Sequence, residues 1–433
     1  MLQRLGTSPT LRPDAGRRLA KELRARRVGA LARHFPDGVK DPGFAELLAQ
    51  IDGGPPSSSR SLLPFFDGDE AMTAMLRAID TARKEVLVEA YIFTDDSTGR
   101  RFADALTAAA SRGVRTALLA DAWGSFRTHG SFWQELKRGG VEVHLFHPLL
   151  PAFRWFQFRD HRKLLVVDRR IAFTGGMNIA DEYSFARRRL RRKGLSMRDT
   201  HLRVEGSVAQ DLARVFAEGW YRAGGGDLPA DLCAATRLAG ELRPESSPEP
   251  PETPLVVLDT RPGRGSQEIA ATFAAVLGAA RRSIWISVGY FAPDRGALAN
   301  LEQAAAAGCD VRLLLPGPTD VPIVRHAGHA TFARLLRRGV RIWEYGPAVL
   351  HAKSLVVDGF LSIVGSANLD VRSWRFNAEC GLLTFDRNLA AELSEAFLKD
   401  LEVATEITRE SWRRRGLLHR LGDRLAGLLT PLL

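Results

Sequence analysis

Hydrophobic positions fall into blocks along the chain, and the same order of blocks occurs twice. In the first copy, EVLVEAYIFTDD (85–96) predicts a buried strand that ends in acidic residues, GRRFADALTAAASRG (99–113) predicts a helix, and VRTALLAD (114–121) predicts a second strand. The second copy consists of the blocks SIWISVGYFAPD (283–294), GALANLEQAAAAG (296–308) and VRLLLP (311–316). We interpret this as an internal duplication, which has to be recognised before a fold is assigned.

Each copy continues through a helix into another strand and then into a run that contains His, Lys and Asp. The additional strands are GVEVHLF (140–146) and GVRIWEY (339–345). The charged runs are HRKLLVVDRRIAFTGGMN (161–178) and HAKSLVVDGFLSIVGSAN (351–368). Alternation of strands and helices predicts an α/β fold in which helices cover the sheets.

Two polar segments break the pattern. DGGPPSSSRS (52–61) and GELRPESSPEPPETP (240–254) offer almost nothing to bury and are typical of linkers. The expected organisation is a basic, helical N-terminal extension with its linker, a first domain, a second linker, a second domain and an amphipathic C-terminal helix, over residues 1–61, 62–239, 240–254, 255–405 and 406–433.

Composition narrows the class of partner without choosing one. The 433 residues are 45% hydrophobic, as in a folded globular protein, and the net charge of +11 favours nucleic acid, acidic lipid or phosphate-bearing substrates. The three cysteines form no CxxC pair, so we expect neither a disulfide framework nor a cysteine-based zinc site. The first residues show no signal-peptide pattern, and no run of about 18 apolar residues predicts a spanning helix. A membrane role would therefore be at the surface.

Within each charged run, the His and Lys occupy a different part of the predicted strand from the Asp. Because alternate residues of a strand share a face, His161 and Lys163 point to the same side, whereas Asp168 lies near the other end of the strand and on the opposite face. His351 and Lys353 repeat the pair, and Asp358 precedes a Gly, which indicates a hairpin. We therefore expect chemistry from His and Lys and a turn from Asp.

A small-residue unit follows each run. It contains Gly176 and Asn178 in the first copy, and Ser366 and Asn368 in the second. Small residues allow a ligand to approach the backbone, and an Asn amide can donate to an oxyanion, so we assign these four residues to substrate binding. A single His beside a Lys is commonly only a structural pair. Two copies of H-x-K-x4-D-x6-G-[GS]-x-N are difficult to explain in that way.

The double motif resembles that of the phospholipase D superfamily over roughly residues 62–405. Segments such as DEY, RDTHLRVEG, GYFAPD and GSANLDVRSWRFNAE make the chain most similar to the bacterial cardiolipin synthase branch. The resemblance implies two α-β-α sandwich domains that are related by a pseudo-twofold axis and share one active site. Many relatives carry two N-terminal spanning helices; none is expected here, as in the shorter, surface-associated members.

The resemblance also implies roles for the motif residues, which we set as the catalytic group: His161, Lys163, Asp168, His351, Lys353 and Asp358. By analogy, His161 is the nucleophile that forms a phosphohistidine, and His351 is the general acid and then the base. The sequence leaves open the reverse assignment. The two Lys and two Asn residues would hold the phosphoryl oxygens. No carboxylate cluster calls for a metal, so we expect no cofactor.

Each histidine needs an acid to fix its tautomer. Asp199 and Glu379 occupy comparable places after His161 and His351, just before a strand, and we predict that they are the orienting acids. The alternative is that both are ordinary surface acids.

Three features favour a lipid substrate, and each has an alternative. PLLPAFRWFQFRD (148–160) could admit acyl chains or be a core strand. RRRLRRK (187–193) could meet acidic headgroups or be a solvated loop. WRRRGLLHRLGDRLAGLLTPLL (412–433) could lie in a membrane interface or pack on its own domain.

The expected partners are phosphatidylglycerol and a membrane surface, at the cytoplasmic face of the bacterial membrane, for a monomer with internal pseudo-symmetry. The resemblance implies that two phosphatidylglycerol molecules give cardiolipin and glycerol. A lipid hydrolase, a phosphodiesterase or nuclease, and a non-catalytic binding module are the rival hypotheses. His326 and His329 could bind a metal as a pair, but without a nearby acid we favour a charged helix face.

Overall fold

The computed structural model describes residues 25–52, 57–147, 157–183, 196–226, 252–261 and 268–433. The Arg-rich stretch, most of the aromatic loop before His161 and nearly all of the second linker lie outside these residues. The helices are α1 Ala25–Ala32, α2 Pro42–Asp52, α3 Gly68–Asp80, α4 Ser97–Ser111, α5 Gly130–Arg138, α6 Ser207–Arg222, α7 Glu268–Ala279, α8 Arg295–Ala306, α9 Pro322–Arg337, α10 Val371–Arg375, α11 Arg387–Glu402, α12 Arg409–Arg413 and α13 Leu417–Leu428, with short 3₁₀ helices at Gly38–Lys40 and Thr430–Leu432.

The strands follow the predicted duplication. Up to residue 205 they are β1 Ser57–Ser59, β2 Ser61–Phe65, β3 Glu85–Ala90, β4 Arg115–Asp121, β5 Glu142–Phe146, β6 Arg159–Asp160, β7 Lys163–Val167, β8 Ile171–Gly175, β9 Met197–Arg198 and β10 His201–Glu205. After it they are β11 Thr253–Asp259, β12 Ser283–Val288, β13 Phe291–Ala292, β14 Asp310–Pro316, β15 Arg341–Tyr345, β16 Val349–Leu350, β17 Lys353–Val357, β18 Leu361–Gly365, β19 Leu369–Asp370, β20 Asn377–Ala378, β21 Cys380–Thr384 and β22 Ala404–Ile407.

Two mixed sheets with the same strand order form the two halves. The first runs β2-β10-β8-β7-β3-β4-β5, and the second contains the equivalent series β11-β21-β18-β17-β12-β14-β15, with β1 and β22 added at its edges. In both, the strand that begins at the motif lysine, two residues after the histidine, lies antiparallel beside the first strand of its block. The predicted α/β duplication is confirmed.

The inner faces of the two sheets share one apolar core. In the first half this core contains Leu212 and Trp220 of α6, and in the second half it contains Leu382 of β21 and Leu393 of α11. Separate cores cover the outer faces of the two sheets. Because the shared core is continuous, the halves pack as one body, which fixes the strand ends that meet between them.

The described residues that precede β2 pack on the second half. Helix α1 crosses α7 so closely that a Cβ on Gly278 would lie 2.2 Å from the carbonyl oxygen of Gly29. Strand β1 pairs with β11 of the second sheet, and β2 enters the first sheet after a single intervening residue. Residues 25–52 and 57–59 thus contact the half that is distant in sequence, although the expected domain boundaries stay predictions.

Among the residues that the structure describes, helices that combine enough length with enough apolar character to cross a bilayer do not occur.

The motif aspartates close two hairpins and lie away from the histidines. Asp168 accepts hydrogen bonds from the backbone N–H groups of Arg83, Lys84 and Glu85 at 3.0, 2.7 and 3.0 Å. Asp358 does the same for residues 281, 282 and 283 at 2.9, 2.7 and 2.9 Å. Both have left-handed φ angles, 51° and 56°, as a tight turn between β7 and β8 or β17 and β18 requires. The turn interpretation is therefore confirmed, and a catalytic role of either aspartate stays a prediction.

Replacing Asp168 by Ala should lower the free energy of unfolding by about 1–3 kcal/mol, because three backbone donors lose their acceptor and Ala disfavours a left-handed φ. Asp168→Asn keeps one side-chain oxygen and tolerates that φ, so its loss should be smaller. Chemical denaturation of both variants tests this. A variant of normal stability that lost turnover would instead return Asp168 to the reaction.

Candidate active site

Two short parallel ladders join the halves and position the histidines. Strand β6 pairs with β20, and β9 pairs with β16, so each ladder takes one strand from each half. Just beyond the first ladder, the backbone N–H of His161 donates to the carbonyl oxygen of Ala378 at 2.9 Å. Just beyond the second ladder, the backbone N–H of His351 donates to the carbonyl oxygen of Arg198 at 2.8 Å. Each histidine therefore emerges beside the chain of the other half.

This crossing exchanges the acids. Nδ1 of His161 lies 2.9 Å from Oε2 of Glu379, and Nδ1 of His351 lies 2.7 Å from Oδ2 of Asp199. All four side chains are buried. The sequence comparison set each acid after the histidine of its own copy; the contacts run between copies, because the ladders place residue 379 beside 161 and residue 199 beside 351.

The lysines lie against the histidines as predicted. Nζ of Lys163 donates to the carbonyl oxygen of His161 at 2.6 Å. Nζ of Lys353 contacts the carbonyl oxygen of His351 and lies 2.7 Å from its Nδ1. Burial is the largest cause that lowers the pKa of Lys163 to about 7 and that of Lys353 to about 8. The site thus holds two ammonium groups that are ready to be stabilised by an anion.

The two His–acid pairs differ electrostatically. Burial raises the pKa of Glu379 to about 7, although Lys163 and the hydroxyl of Ser366 oppose the shift. Burial also acts to raise the pKa of Asp199, but Lys353 and His351 bring it below its usual value. Asp199 therefore stays ionised at neutral pH, whereas Glu379 lies near its titration point.

The pKa values of the two histidines also respond differently to their surroundings. Burial and then the charges of Lys163, Lys353 and His351 hold the pKa of His161 well below its usual value. Burial and Lys353 also lower the pKa of His351, but the charge and hydrogen bond of Asp199 oppose the shift. The ionised Asp199 requires a donor at Nδ1 of His351, so Lys353 acts there as a neighbouring charge, and Nε2 of each ring is left to face a reactant.

The small residues of the motif contact these acids. A Cβ on Gly176 would lie 2.0 Å from Oδ1 of Asp199, so only glycine leaves room for this carboxylate. At the equivalent place Ser366 donates from Oγ to Oε2 of Glu379 at 2.5 Å. The residues assigned to substrate binding therefore position the orienting acids.

The asparagines are also held by protein groups. Oδ1 of Asn178 accepts from the N–H of Ile92 at 3.1 Å, and its Nδ2 donates to the hydroxyl of Tyr183 at 2.9 Å. Oδ1 of Asn368 accepts from the N–H of Tyr290 at 3.2 Å. These bonds tie the loops after β3 and β12 to the motif, and a phosphoryl contact by either Asn stays a prediction.

Three tyrosines complete the site, and the sequence analysis did not assign them. The rings of Tyr91 and His161 have centroids 4.9 Å apart, whereas Tyr183 and Tyr290 lie 5.6 and 6.0 Å from His351. Burial raises the pKa of each tyrosine, so all three hydroxyls stay protonated. Tyr183 and Tyr290 belong to the DEY and GYFAPD segments, which was the available signal.

The His326–His329 pair lies on α9, and an acidic residue lies beside it, which the sequence analysis did not expect. Oδ1 of Asp423, on α13, is 2.8 Å from Nδ1 of His326 and 3.6 Å from Nδ1 of His329. Arg415 also contacts this carboxylate. The three groups offer ligand atoms within 4.8 Å of one another, but the charge of Arg415 already compensates Asp423, so we interpret the cluster as a helix-to-helix contact.

Two solved structures share this duplicated fold over most of the chain. A phosphatidylserine synthase from Haemophilus influenzae matches 90% of this chain and 99% of its own length with a TM-score of 0.67 at 15% identity. A polyphosphate kinase from Porphyromonas gingivalis matches 84% of this chain and 50% of its own length with a TM-score of 0.54. At such low identity these matches show the fold alone.

Sequence comparisons give the family. Residues 75–193 and 273–401 match the family described as "Cardiolipin synthase, PLD-like domain". Cardiolipin synthase A of Pseudomonas putida is 37% identical over 85% of this chain and 73% of its own length, and cardiolipin synthase 1 of Bacillus cereus is 31% identical over 98% and 82%. The chain therefore belongs to the cardiolipin synthase family of phospholipase D-like enzymes, and it is a phosphatidyltransferase.

The pH profile of kcat/KM should be bell-shaped with its maximum at about pH 7. Below this pH Glu379 takes up a proton, so Nδ1 of His161 loses its acceptor; above it Lys163 and then Lys353 lose their charges. Ser366→Gly removes a donor that stabilises the ionised Glu379, so the acidic limb should move up by about one pH unit while the alkaline limb stays. An unchanged acidic limb would contradict the coupling of Ser366 to Glu379.

Ser362→Ala is the matched control. This serine lies on β18, the strand that ends just before Ser366, and its buried Oγ has no hydrogen-bond partner among the described residues. Its profile should coincide with that of the unmodified enzyme.

Proposed function

We propose that the enzyme makes cardiolipin from two phosphatidylglycerol molecules, releases glycerol, and proceeds through a phosphohistidine on His161. The observation that carries the proposal is the pair of crossed His–acid contacts, Glu379 with His161 and Asp199 with His351. Two imidazoles of one buried cluster, each with its second nitrogen available, match a reaction that needs a nucleophile and a proton donor at one phosphorus atom.

The difference between the pairs supports the assignment of roles. His161 has a pKa well below its usual value, so its ring is neutral and nucleophilic at pH 7. Burial and Lys353 lower the pKa of His351 as well, but the charge and hydrogen bond of the ionised Asp199 oppose that shift and stabilise the imidazolium form that a proton donor requires. This difference between the two pairs supports the choice of His161 as the nucleophile.

The covalent step is written with every atom accounted for. Nε2 of His161 attacks the phosphorus of the first lipid, the bond from phosphorus to the glycerol headgroup oxygen breaks, and Nε2–H of His351 protonates that oxygen. Glycerol leaves. His351 then takes the proton from a glycerol hydroxyl of a second lipid, whose oxygen attacks phosphorus while the P–N bond breaks. The product is cardiolipin, and both histidines return to their starting states.

The two lysines supply the positive charge that these reaction steps need. An entering phosphodiester anion stabilises the protonated forms of Lys163 and Lys353, so it raises the two pKa values that burial had lowered. Ammonium groups in a dry site stabilise the extra negative charge of a five-coordinate phosphorus more strongly than they would in water.

Transfer rather than hydrolysis is supported by the surroundings of the histidines. Both rings are buried and have tyrosine rings as neighbours, so an acceptor alcohol held in place competes well with water. We place the reaction at the surface of the bacterial cell membrane, on its cytoplasmic face, with the protein as a monomer.

Vesicles that contain phosphatidylglycerol, incubated with the purified enzyme and analysed by mass spectrometry, test the product. Equal amounts of cardiolipin and glycerol are expected. Phosphatidic acid as the main product would replace the transferase with a hydrolase, and cleavage of DNA without lipid turnover would replace it with a nuclease.

A phosphatidyl ester of p-nitrophenol tests the nucleophile, because its leaving group departs without protonation. His351→Ala should release nitrophenol in a burst and retain the phosphatidyl group on residue 161, because the alcohol that breaks the P–N bond then lacks a base to accept its proton. His161→Ala should give no burst. Peptide mass spectrometry locates the adduct, and an adduct on His351 in the His161→Ala variant would reverse the assigned roles.

A further inference from the structure

The C-terminal helix α13 displays a row of leucines to solvent. Large apolar side chains that are at least 40% exposed number fourteen among the described residues, and seven of them lie between 417 and 432. They are Leu417, Leu418, Leu421, Leu425, Leu428, Leu429 and Leu432, which we call the leucine face. A concentration of this kind marks an interaction surface.

The opposite side of the helix is polar, and this side is the one that packs on the protein. Asp423 is only 2% exposed and contacts His326 and Arg415, and Ala426 lies beside Val324 and Ala327 of α9. A surface helix ordinarily buries its apolar stripe and exposes its charges. Here the charge cluster holds the helix in the reverse orientation, so the leucine face points outward as part of the folded structure.

The leucine face ends beside the active site. Leu433 packs against the same small apolar cluster, which contains Val324 and Ala327, as Tyr290, the tyrosine whose ring lies 6.0 Å from His351. The carbonyl oxygen of Leu433 accepts from the N–H of Arg372 at 2.9 Å, and the charge of Arg372 is among the causes that lower the pKa of His161. The helix therefore leads to the catalytic cluster.

The first half contributes a second apolar feature in the loop that follows β4. Trp123 and Phe126 follow β4, are 40% and 58% exposed and stack at 5.7 Å. Asp121 holds this loop through the N–H of Trp123 at 2.9 Å, and its other oxygen accepts from the N–H of Asp160, the neighbour of His161. Thus each half presents apolar side chains on an element tied to its own side of the site.

The charges around the leucine face select the occupant. Arg413, Arg414 and Arg424 are exposed on or just before α13, in a chain of net charge +11. Leucines beside arginines complement an anionic bilayer, whose acyl region takes the former and whose headgroups take the latter.

We propose that the leucine face, together with Trp123 and Phe126, seats the enzyme on an anionic lipid bilayer with the mouth of the active site against the headgroups. This inference rests on the proposed function, because it assumes that the substrates are bilayer lipids. Substrate then reaches the histidines by moving within the headgroup layer, and acyl chains need not leave the membrane.

The triple variant Leu418→Gln, Leu421→Gln and Leu425→Gln tests the proposal. With vesicles of phosphatidylglycerol and phosphatidylcholine, its partition coefficient in co-sedimentation should fall by about 100-fold or more. The matched control is Leu63→Gln, Leu398→Gln and Val403→Gln, which removes three exposed apolar side chains elsewhere and should bind as the unmodified enzyme does. Vesicles of phosphatidylcholine alone should bind the unmodified enzyme more weakly.

A soluble substrate separates this inference from the proposed function. With dihexanoyl phosphatidylglycerol below its critical micelle concentration, the triple variant should turn over at the normal rate, which shows that its site is intact. Vesicle binding equal to that of the unmodified enzyme would overturn the seating surface and leave the reaction untouched. Normal seating without cardiolipin would overturn the reaction instead. A dimer in sedimentation velocity that the triple variant converts to a monomer, with vesicle binding unchanged, would assign the leucine face to a second copy.

Discussion

The site depends on the two parallel ladders that cross between the halves. Each ladder is only two residues long in each strand, but it sets a histidine of one half beside the acid of the other. Neither half could orient its own histidine. The large apolar core shared by α6, α11 and both sheets is the support for these short contacts, because it prevents the halves from sliding past each other.

Duplication supplies two similar parts, and a few substitutions make them chemically different. Gly176 leaves space for Asp199, whereas Ser366 donates to Glu379 at the same structural place. The pKa of Glu379 is raised to about 7, while Lys353 and His351 overcome the effect of burial and lower the pKa of Asp199. One motif used twice thus gives two His–acid pairs with different electrostatics, and the proposed division into attack and proton transfer rests on that difference. A symmetric site would give two equivalent histidines and no reason for either role.

Much of this could be predicted from sequence because it is local. The block order predicted the duplicated α/β fold, strand alternation put His161 and Lys163 together, and the Asp358–Gly359 pair predicted a hairpin. Asp199 and Glu379 were predicted as orienting acids, but their exchange between the copies was missed, because a sequence offset carries no information about which half a strand end meets. The same limit applies to residues 25–52, whose helical pattern is local but whose packing on α7 is not. Tyr91, Tyr183 and Tyr290 were passed over because lone aromatic residues in a strand-rich chain are most often core.

Helix α13 shows why an amphipathic pattern has no direction of its own. Its leucine spacing is equally compatible with a stripe buried on the domain and one turned outward. The buried contact of Asp423 with His326 and Arg415 fixes the outward orientation. Turning the leucines inward would separate this carboxylate from both of its partners. A lipid-transferring enzyme gains from the outward choice, because its acceptor is held in a bilayer at high local density. An enzyme seated on that bilayer meets lipid alcohol more often than one that must extract each molecule into water.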